Sequence, residues 1–90
     1  MAESQTGQPS SDAPSVCFGP IDGTDAAVNE IVLTREEWEA LRLNDRDGVR
    51  LRVAAAMLGI PTPSFHKIIA GARRKVADAI TRGKTLGLEK

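Results

Sequence analysis

The strongest constraint on the fold of this chain is a helix-breaking stretch, GIPTP at residues 59–63, between two apolar segments. Because glycine commonly ends a helix and proline cannot continue one, a short helix over roughly residues 50–58 is predicted to stop here. Proline is favoured in the first helical turn, and Thr62 before Pro63 suits an N-cap. A new helix is therefore predicted to begin after a turn of only a few residues.

The segment after this break has the longest helical periodicity in the chain. Its opposite sides differ: one is small and basic, with Lys67 and Arg74 two turns apart and His66 and Arg73 at the flanks, and Gly83 is predicted to end the helix. The other side is a predicted buried stripe of apolar residues at helical spacing, namely Phe65, Ile68, Ile69, Ala72, Val76, Ala79 and Ile80.

A further helix is predicted upstream, because TREE at residues 34–37 has the sequence of a capping box. Trp38 heads the apolar stripe of this helix and is expected to anchor the core between the first and third helices. The stretch NDRDG at residues 44–48 is predicted to end the helix near Asn44, with Gly48 at the turn. Short strands are predicted near Cys17, at residues 30–33 and around Leu86.

The composition of the N-terminus divides the chain into two parts. Residues 1–15, MAESQTGQPSSDAPS, are predicted to be a disordered tail, because they have too little apolar surface to offset the entropy of ordering. Residues 16–90 are then one small all-α domain with three main helices. Since no apolar run approaches 20 residues and the N-terminus lacks a signal-peptide pattern, a cytoplasmic protein is expected.

Charge is distributed unevenly although the formal net charge is zero. Residues 22–47 contain eight acids and three bases, a net charge of −5, whereas residues 48–84 contain eight bases and one acid, a net charge of +7. A basic half favours phosphate binding. The two halves could equally attract each other, within the fold or in a dimer.

No combination of side chains indicates catalysis, a cofactor or a metal. Cys17 is the only cysteine and His66 the only histidine, which excludes an internal disulfide, a multi-cysteine zinc site and a histidine pair. Ser64 and His66 are near neighbours on a helix and do not point at each other as a nucleophile and its base would. The chain is therefore expected to be no enzyme and to need no cofactor.

A capped helix followed by two helices on a tight turn is the order of a helix-turn-helix motif. In that motif the outer face of the third helix enters the major groove of DNA. Here the face carries Lys67 and Arg74, with small residues at Ala70 and Gly71 that would allow the backbone to approach the bases.

From Val16 to Glu89 the chain resembles the predicted DNA-binding family called domain of unknown function 134, or uncharacterised protein family 0251. The resemblance implies a sigma-factor-like helix-turn-helix in a small prokaryotic transcriptional regulator of double-stranded DNA. It rests on CFGP (17–20), LTREEWEALRLND (33–45), Gly48, AA (54–55), LGI (58–60), PSF (63–65), ARRKVADAI (72–80) and GK (83–84).

The chain departs from the family pattern at the start of the third helix and along the second. Pro61 and Thr62 stand where the family usually has Ser-Arg, so one basic side chain is lost. Lys67 stands where the family commonly has Arg, and lysine lacks the guanidinium that can donate two parallel hydrogen bonds. The second helix gains apolar surface from three residues, Leu51, Val53 and Met57.

Two functional hypotheses follow. The first is DNA binding, with His66, Lys67 and Arg74 in the groove, Thr62 at the start of the recognition helix, and phosphate contacts from Arg73, Arg50, Arg52 and Lys84. The second is a helix-turn-helix scaffold that binds a protein partner or a second copy of itself, with little or no DNA binding.

Overall fold

Three α-helices, a π-helical segment and two short strands make up the part of the chain that a computed structural model describes, residues 18–19 and 30–89. The described chain is mostly helical, as predicted. The predicted disordered tail and Cys17 lie outside the described residues. The elements in chain order are β1 (Glu30–Leu33), α1 (Arg35–Ala40), the π-helical segment (Leu41–Arg46), α2 (Leu51–Leu58), α3 (Thr62–Arg82) and β2 (Thr85–Leu88).

The first helix begins with the predicted capping box but ends later than predicted. The Thr34 hydroxyl accepts from the backbone N–H of Glu37 at 3.1 Å, and the Glu37 carboxylate accepts from the N–H of Thr34 at 2.9 Å. The α-helix itself ends at Ala40, and the chain continues beyond Asn44 to Arg46 as a π-helix. In this segment the N–H of Asp47 donates to the carbonyl of Arg42, five residues earlier, at 2.9 Å.

The connection between α2 and α3 is as tight as the sequence predicts. Gly59 ends α2 with a left-handed φ of 71°, and its N–H donates to carbonyls of the last turn. The predicted N-cap of α3 was wrong by one residue. Thr62 is already helical, Pro61 occupies the N-cap position, and no side chain caps this end. The reason is that Pro61 holds the extended conformation that starts the helix, and its carbonyl accepts from the N–H of Phe65 at 3.0 Å.

The two strands form a small parallel sheet in which Glu30 pairs with Thr85 and Leu33 with Leu88. Both strands were predicted. Next to the strand predicted near Cys17, the described residue Phe18 forms an antiparallel bridge with Leu86: the two residues exchange backbone hydrogen bonds, at 2.8 and 2.6 Å, on one side of β2. The sheet thus ties the beginning and the end of the described chain together.

The core is centred on Phe65, with relative exposure of 0%, and on Ile69, one turn further along α3. Alanines of the two other helices surround them, which allows the helices to pack closely. Ile68 and Val76 are partly buried, and the rest of the predicted α3 stripe is buried except Ile80, which is 74% exposed. The prediction for Ile80 was wrong because the 21-residue α3 is far longer than the eight-residue α2, so its last turns extend beyond that helix.

The predicted central role of Trp38 was also wrong. Its side chain is only partly buried, and the guanidinium of Arg42 lies 5.5 Å from the centre of its ring. From this part of the chain the buried residues are instead Ala40 and Leu43. Trp38 therefore borders the core and forms a cation–π contact at the surface.

An ion pair joins α1 to α3. The Lys75 ammonium donates to the Glu37 carboxylate and to the Val32 carbonyl, both at 2.8 Å. Burial raises the pKa of Glu37, but the hydrogen bonds from Lys75 and from the Thr34 backbone outweigh it, so the pKa lies below its ordinary value of 4.5. The attraction expected between the two halves of the chain thus holds α1 against α3.

Replacing Phe65 with alanine is expected to lower the free energy of unfolding by about 3–5 kcal/mol, because it removes the largest fully buried side chain. Trp38→Ala should lower it clearly less, since Trp38 borders the core. Urea denaturation followed by circular dichroism measures both. An equal or larger loss for Trp38→Ala would contradict this description of the core.

Acid should destabilise the fold in part through Glu37. A carboxylate whose pKa is lowered by folding contributes stability above its unfolded pKa, and this contribution is lost as the pH falls through its folded pKa. The contribution is therefore present at neutral pH and lost below about pH 4.5. We expect the melting temperature of Glu37→Gln to fall less than that of the wild type as the pH decreases.

Glu36→Gln is the matched control for this measurement, since Glu36 is an exposed neighbour in the same helical turn and has no ion pair with any described residue. It should keep the acid sensitivity of the wild type. Identical pH dependence of all three proteins would show that the Glu37–Lys75 pair does not couple stability to pH.

Candidate nucleic-acid interface

The exposed face of α3 presents two cations at the positions predicted from the sequence. Lys67, Ala70 and Arg74 are all exposed, whereas Gly71 is partly buried, and a Cβ at this position would lie 3.5 Å from the Glu37 carboxylate of α1. At 100° and 1.5 Å per residue, Lys67 and Arg74 are about 20° apart around the helix and about 10 Å apart along it. They therefore form one straight edge of positive charge.

Most of the described cations have a carboxylate partner within 4.0 Å. These pairs join Arg35 and Arg42 to Glu39, Arg46 to Asp47, Arg73 to Asp45, Lys75 to Glu37, and both Arg82 and Lys84 to Asp78. Four cations have no such pair with any described residue: Arg50, Arg52, Lys67 and Arg74. All four are exposed, so the uncompensated positive charge lies on α2 and α3.

The two cations on α2 lie at its beginning. Arg50 is the N-cap residue, in an extended conformation, and Arg52 lies in the first turn. Neither is needed to cap the helix, because no side-chain hydrogen bond is made at this end. Their side chains are therefore available to a ligand at the surface.

Arg73, which the sequence placed among the phosphate contacts, is bound within the protein. Its guanidinium donates to both Asp45 oxygens, at 3.0 and 2.7 Å, and to the Asn44 side-chain oxygen at 2.8 Å. These hydrogen bonds lower the pKa of Asp45 and raise the pKa of Arg73. Arg73 therefore joins α3 to the π-helical segment and is not a free cation.

The other predicted site residues have different environments. Lys84 lies 3.2 Å from an oxygen of Asp78, so it too has a carboxylate partner, which it shares with Arg82. His66 is exposed on the flank of the α3 face, and Thr62 is partly buried at the start of the helix. The charge pattern of the sequence could not reveal which basic side chains would form ion pairs, because the carboxylate partners of Arg73 and Lys75 come from a distant part of the sequence.

A small apolar patch lies on α2, beside this charged region in the sequence. Val53 is 49% and Met57 61% exposed, and they are one helical turn apart. Leu51, which was predicted to belong to this patch, packs instead against the core cluster. Leu51 differs from Val53 and Met57 because it lies at the start of α2. There the chain enters the helix from Val49, which is also packed against the core.

Residues 18–19 and 30–89 include no group of three or more His, Cys, Asp or Glu side chains arranged to hold a metal ion. Within these residues no helix combines the length and apolar character needed to cross a membrane.

Comparison with known proteins gives relatives of uncharacterised function. A UPF0251 protein of Thermoanaerobacter pseudethanolicus is 40% identical over 72 residues, which is 80% of this chain and 61% of the relative. Another, of Chlorobium chlorochromatii, is 42% identical over 83% of this chain and 43% of the relative. A third, of Prosthecochloris aestuarii, is 37% identical over 99% of this chain and 61% of the relative.

The chain thus spans between about two-fifths and three-fifths of the length of these relatives. No solved structure matches it. The model of the family described as protein of unknown function DUF134 matches residues 9–90. With this match and relatives of about 40% identity, the chain belongs to the DUF134 family.

Proposed function

We propose that this chain binds double-stranded DNA as a small transcriptional regulator, through a helix-turn-helix formed by α2 and α3. The observation that carries the proposal is the distribution of uncompensated charge. Among the described residues, the cations without a carboxylate partner all lie on these two helices, namely Arg50, Arg52, Lys67 and Arg74. Their grouping on two consecutive helices supplies the positive charge that phosphate binding needs.

The exposed face of α3 has the shape and chemistry that major-groove binding needs. An α-helix fits the major groove, and the small side chain of Ala70 between the two cations would allow close approach. Arg74 can donate two parallel hydrogen bonds to a guanine edge, whereas Lys67 supplies a single point charge. In this proposal Arg74 contributes more to base selection than Lys67, and His66 contacts the flank of the groove.

The exposed basic side chains at the beginning of α2 would then bind the phosphate backbone of the DNA. Arg50 and Arg52 lie at the beginning of α2, which in this proposal is the first helix of the motif, the one that crosses the phosphate backbone in helix-turn-helix proteins. Because only a few cations remain to neutralise phosphate, non-specific binding should be weak, with Kd on the order of micromolar or above and a shallow salt dependence.

The DNA-binding proposal predicts that Lys67→Ala and Arg74→Ala each weaken binding. The expected loss of binding free energy is about 1–3 kcal/mol for a side chain that contacts base edges. For a side chain that contacts phosphate, the salt slope, that is, the slope of log K against log salt concentration, should become smaller by about one. Fluorescence anisotropy with a labelled random-sequence duplex, at two salt concentrations, measures both quantities.

Arg46→Ala is the matched control, because Arg46 is also an exposed arginine but pairs with Asp47 and lies on the π-helical segment, not on α2 or α3. Arg46→Ala should leave the DNA affinity and the salt slope nearly unchanged, apart from the small effect of removing one positive charge from the protein. If the wild type shows no binding at low salt, or if Arg46→Ala weakens binding as much as Arg74→Ala, the proposed interface is wrong.

The exposed pair Val53 and Met57 supports a second candidate function, the binding of a protein partner or of a second copy through α2. In this alternative the helix-turn-helix acts as a scaffold. The two functions are separable, because the apolar patch and the α3 cations are on different helices.

A double variant, Val53→Gln with Met57→Gln, is expected to keep the fold, because both side chains are largely exposed. If the patch binds protein, this variant should lose self-association in sedimentation velocity, or capture of a partner, while keeping its melting temperature. Unchanged association would remove this candidate. Adding Leu51→Gln should destabilise the fold, since Leu51 packs against the core.

A further inference from the structure

An apolar groove lies between the end of α3 and strand β2, away from the proposed DNA-binding face. Its volume is about 710 Å³, within the range of small-molecule sites. Its lining residues include Phe18, Val76, Ile80, Lys84 and Leu86.

Two large apolar side chains of the groove are held at the surface. Phe18 is 61% and Ile80 74% exposed, although both are residues that usually gain stability from burial. The main chain of Phe18 is fixed by two backbone hydrogen bonds to Leu86, so its side chain starts from a defined position beside β2. The groove is therefore a positioned apolar surface, and a molecule that covered Phe18 and Ile80 would bury both.

The charge of the groove indicates the kind of molecule that would bind. Lys84 is the charged residue among the described lining residues, and its side chain is 25% exposed. Its partner Asp78 is shared with Arg82, at 3.3 Å, so this group of two cations and one carboxylate has a net charge of +1. A ligand with one negative charge complements it.

The size of the groove favours a small molecule over a second copy of the chain. A stable protein interface involves roughly 20–30 residues on each side, far more than line this groove. A ligand that buries most of its surface needs only a cleft of this volume.

From these observations we propose that the groove binds a single medium-chain fatty acid or similar amphipathic anion. Its apolar chain would lie between Phe18 and Ile80, over Val76 and Leu86, and its carboxylate would contact Lys84. The proposal does not depend on DNA binding, since Val76 and Ile80 lie about 140–180° around α3 from Lys67.

The test is a titration of the full chain with dodecanoate below its micelle concentration, followed by two-dimensional NMR of the methyl groups. We expect saturable one-to-one shifts at Val76, Ile80 and Leu86. Lys84→Gln should weaken dodecanoate binding about tenfold, because a charge-assisted contact is lost. The affinity of the Lys84→Gln variant for dodecanol, which has the same alkyl chain but no charge, should equal that of the wild type.

Two controls separate the groove from general surfactant binding. Ile80→Gln should abolish the shifts while keeping the melting temperature, since Ile80 is largely exposed. Arg46→Gln, which removes a cation elsewhere, should bind dodecanoate as the wild type does. Absence of saturable shifts at Val76 and Ile80, or equal affinity of the wild type for dodecanoate and dodecanol, would overturn the proposal.

Discussion

The packing of Phe65 against the alanines of α1 and α2 is the contact on which the rest of this structure depends. Phe65 lies in the first turn of α3, directly after the connection Gly59–Pro61, and is completely buried. Ala54 and Ala55 face it from α2, and their small side chains let the two helices approach. With so short a connection and so close a contact, α2 leaves α3 little freedom of direction.

This arrangement determines which side of α3 is exposed. Once Phe65 and Ile69 point into the core, helical geometry places Lys67, Ala70 and Arg74 on the outside. The same rule leaves the end of α3 beyond the reach of α2, where Ile80 becomes one wall of the apolar groove. The proposed DNA face and the proposed ligand groove are therefore two consequences of one long helix with a short neighbour.

Ion pairing then separates structural cations from available ones. Arg73 and Arg74 are adjacent in sequence, yet Arg73 is bound to Asp45 and Asn44 whereas Arg74 has no carboxylate partner among the described residues. Exposed pairs of this kind contribute little stability, roughly 0–1 kcal/mol each. Their larger effect is on the distribution of charge, since they remove positive charge from the flank of α3 and leave it on the outer face.

The amino-acid sequence by itself determined the local features of this protein. The capping box at Thr34, the helix ends at Gly59 and Gly83, and the exposed cations of α3 all follow from short-range rules. Such features could be predicted because each depends on residues within about one helical turn. Membership of the DUF134 family was likewise visible in ordered short motifs.

Only the tertiary structure decided which residues meet across the chain. Trp38 has the large apolar side chain of a typical core residue, but the buried side chains are instead Leu43 of the π-helical segment and Ala54 of α2. The pairing of Arg73 with Asp45, 28 residues apart, depends on how α3 crosses the end of the first helix. Periodicity reports which face of a helix is apolar, but not how far its neighbours extend, and for that reason the exposure of Ile80 could not be predicted.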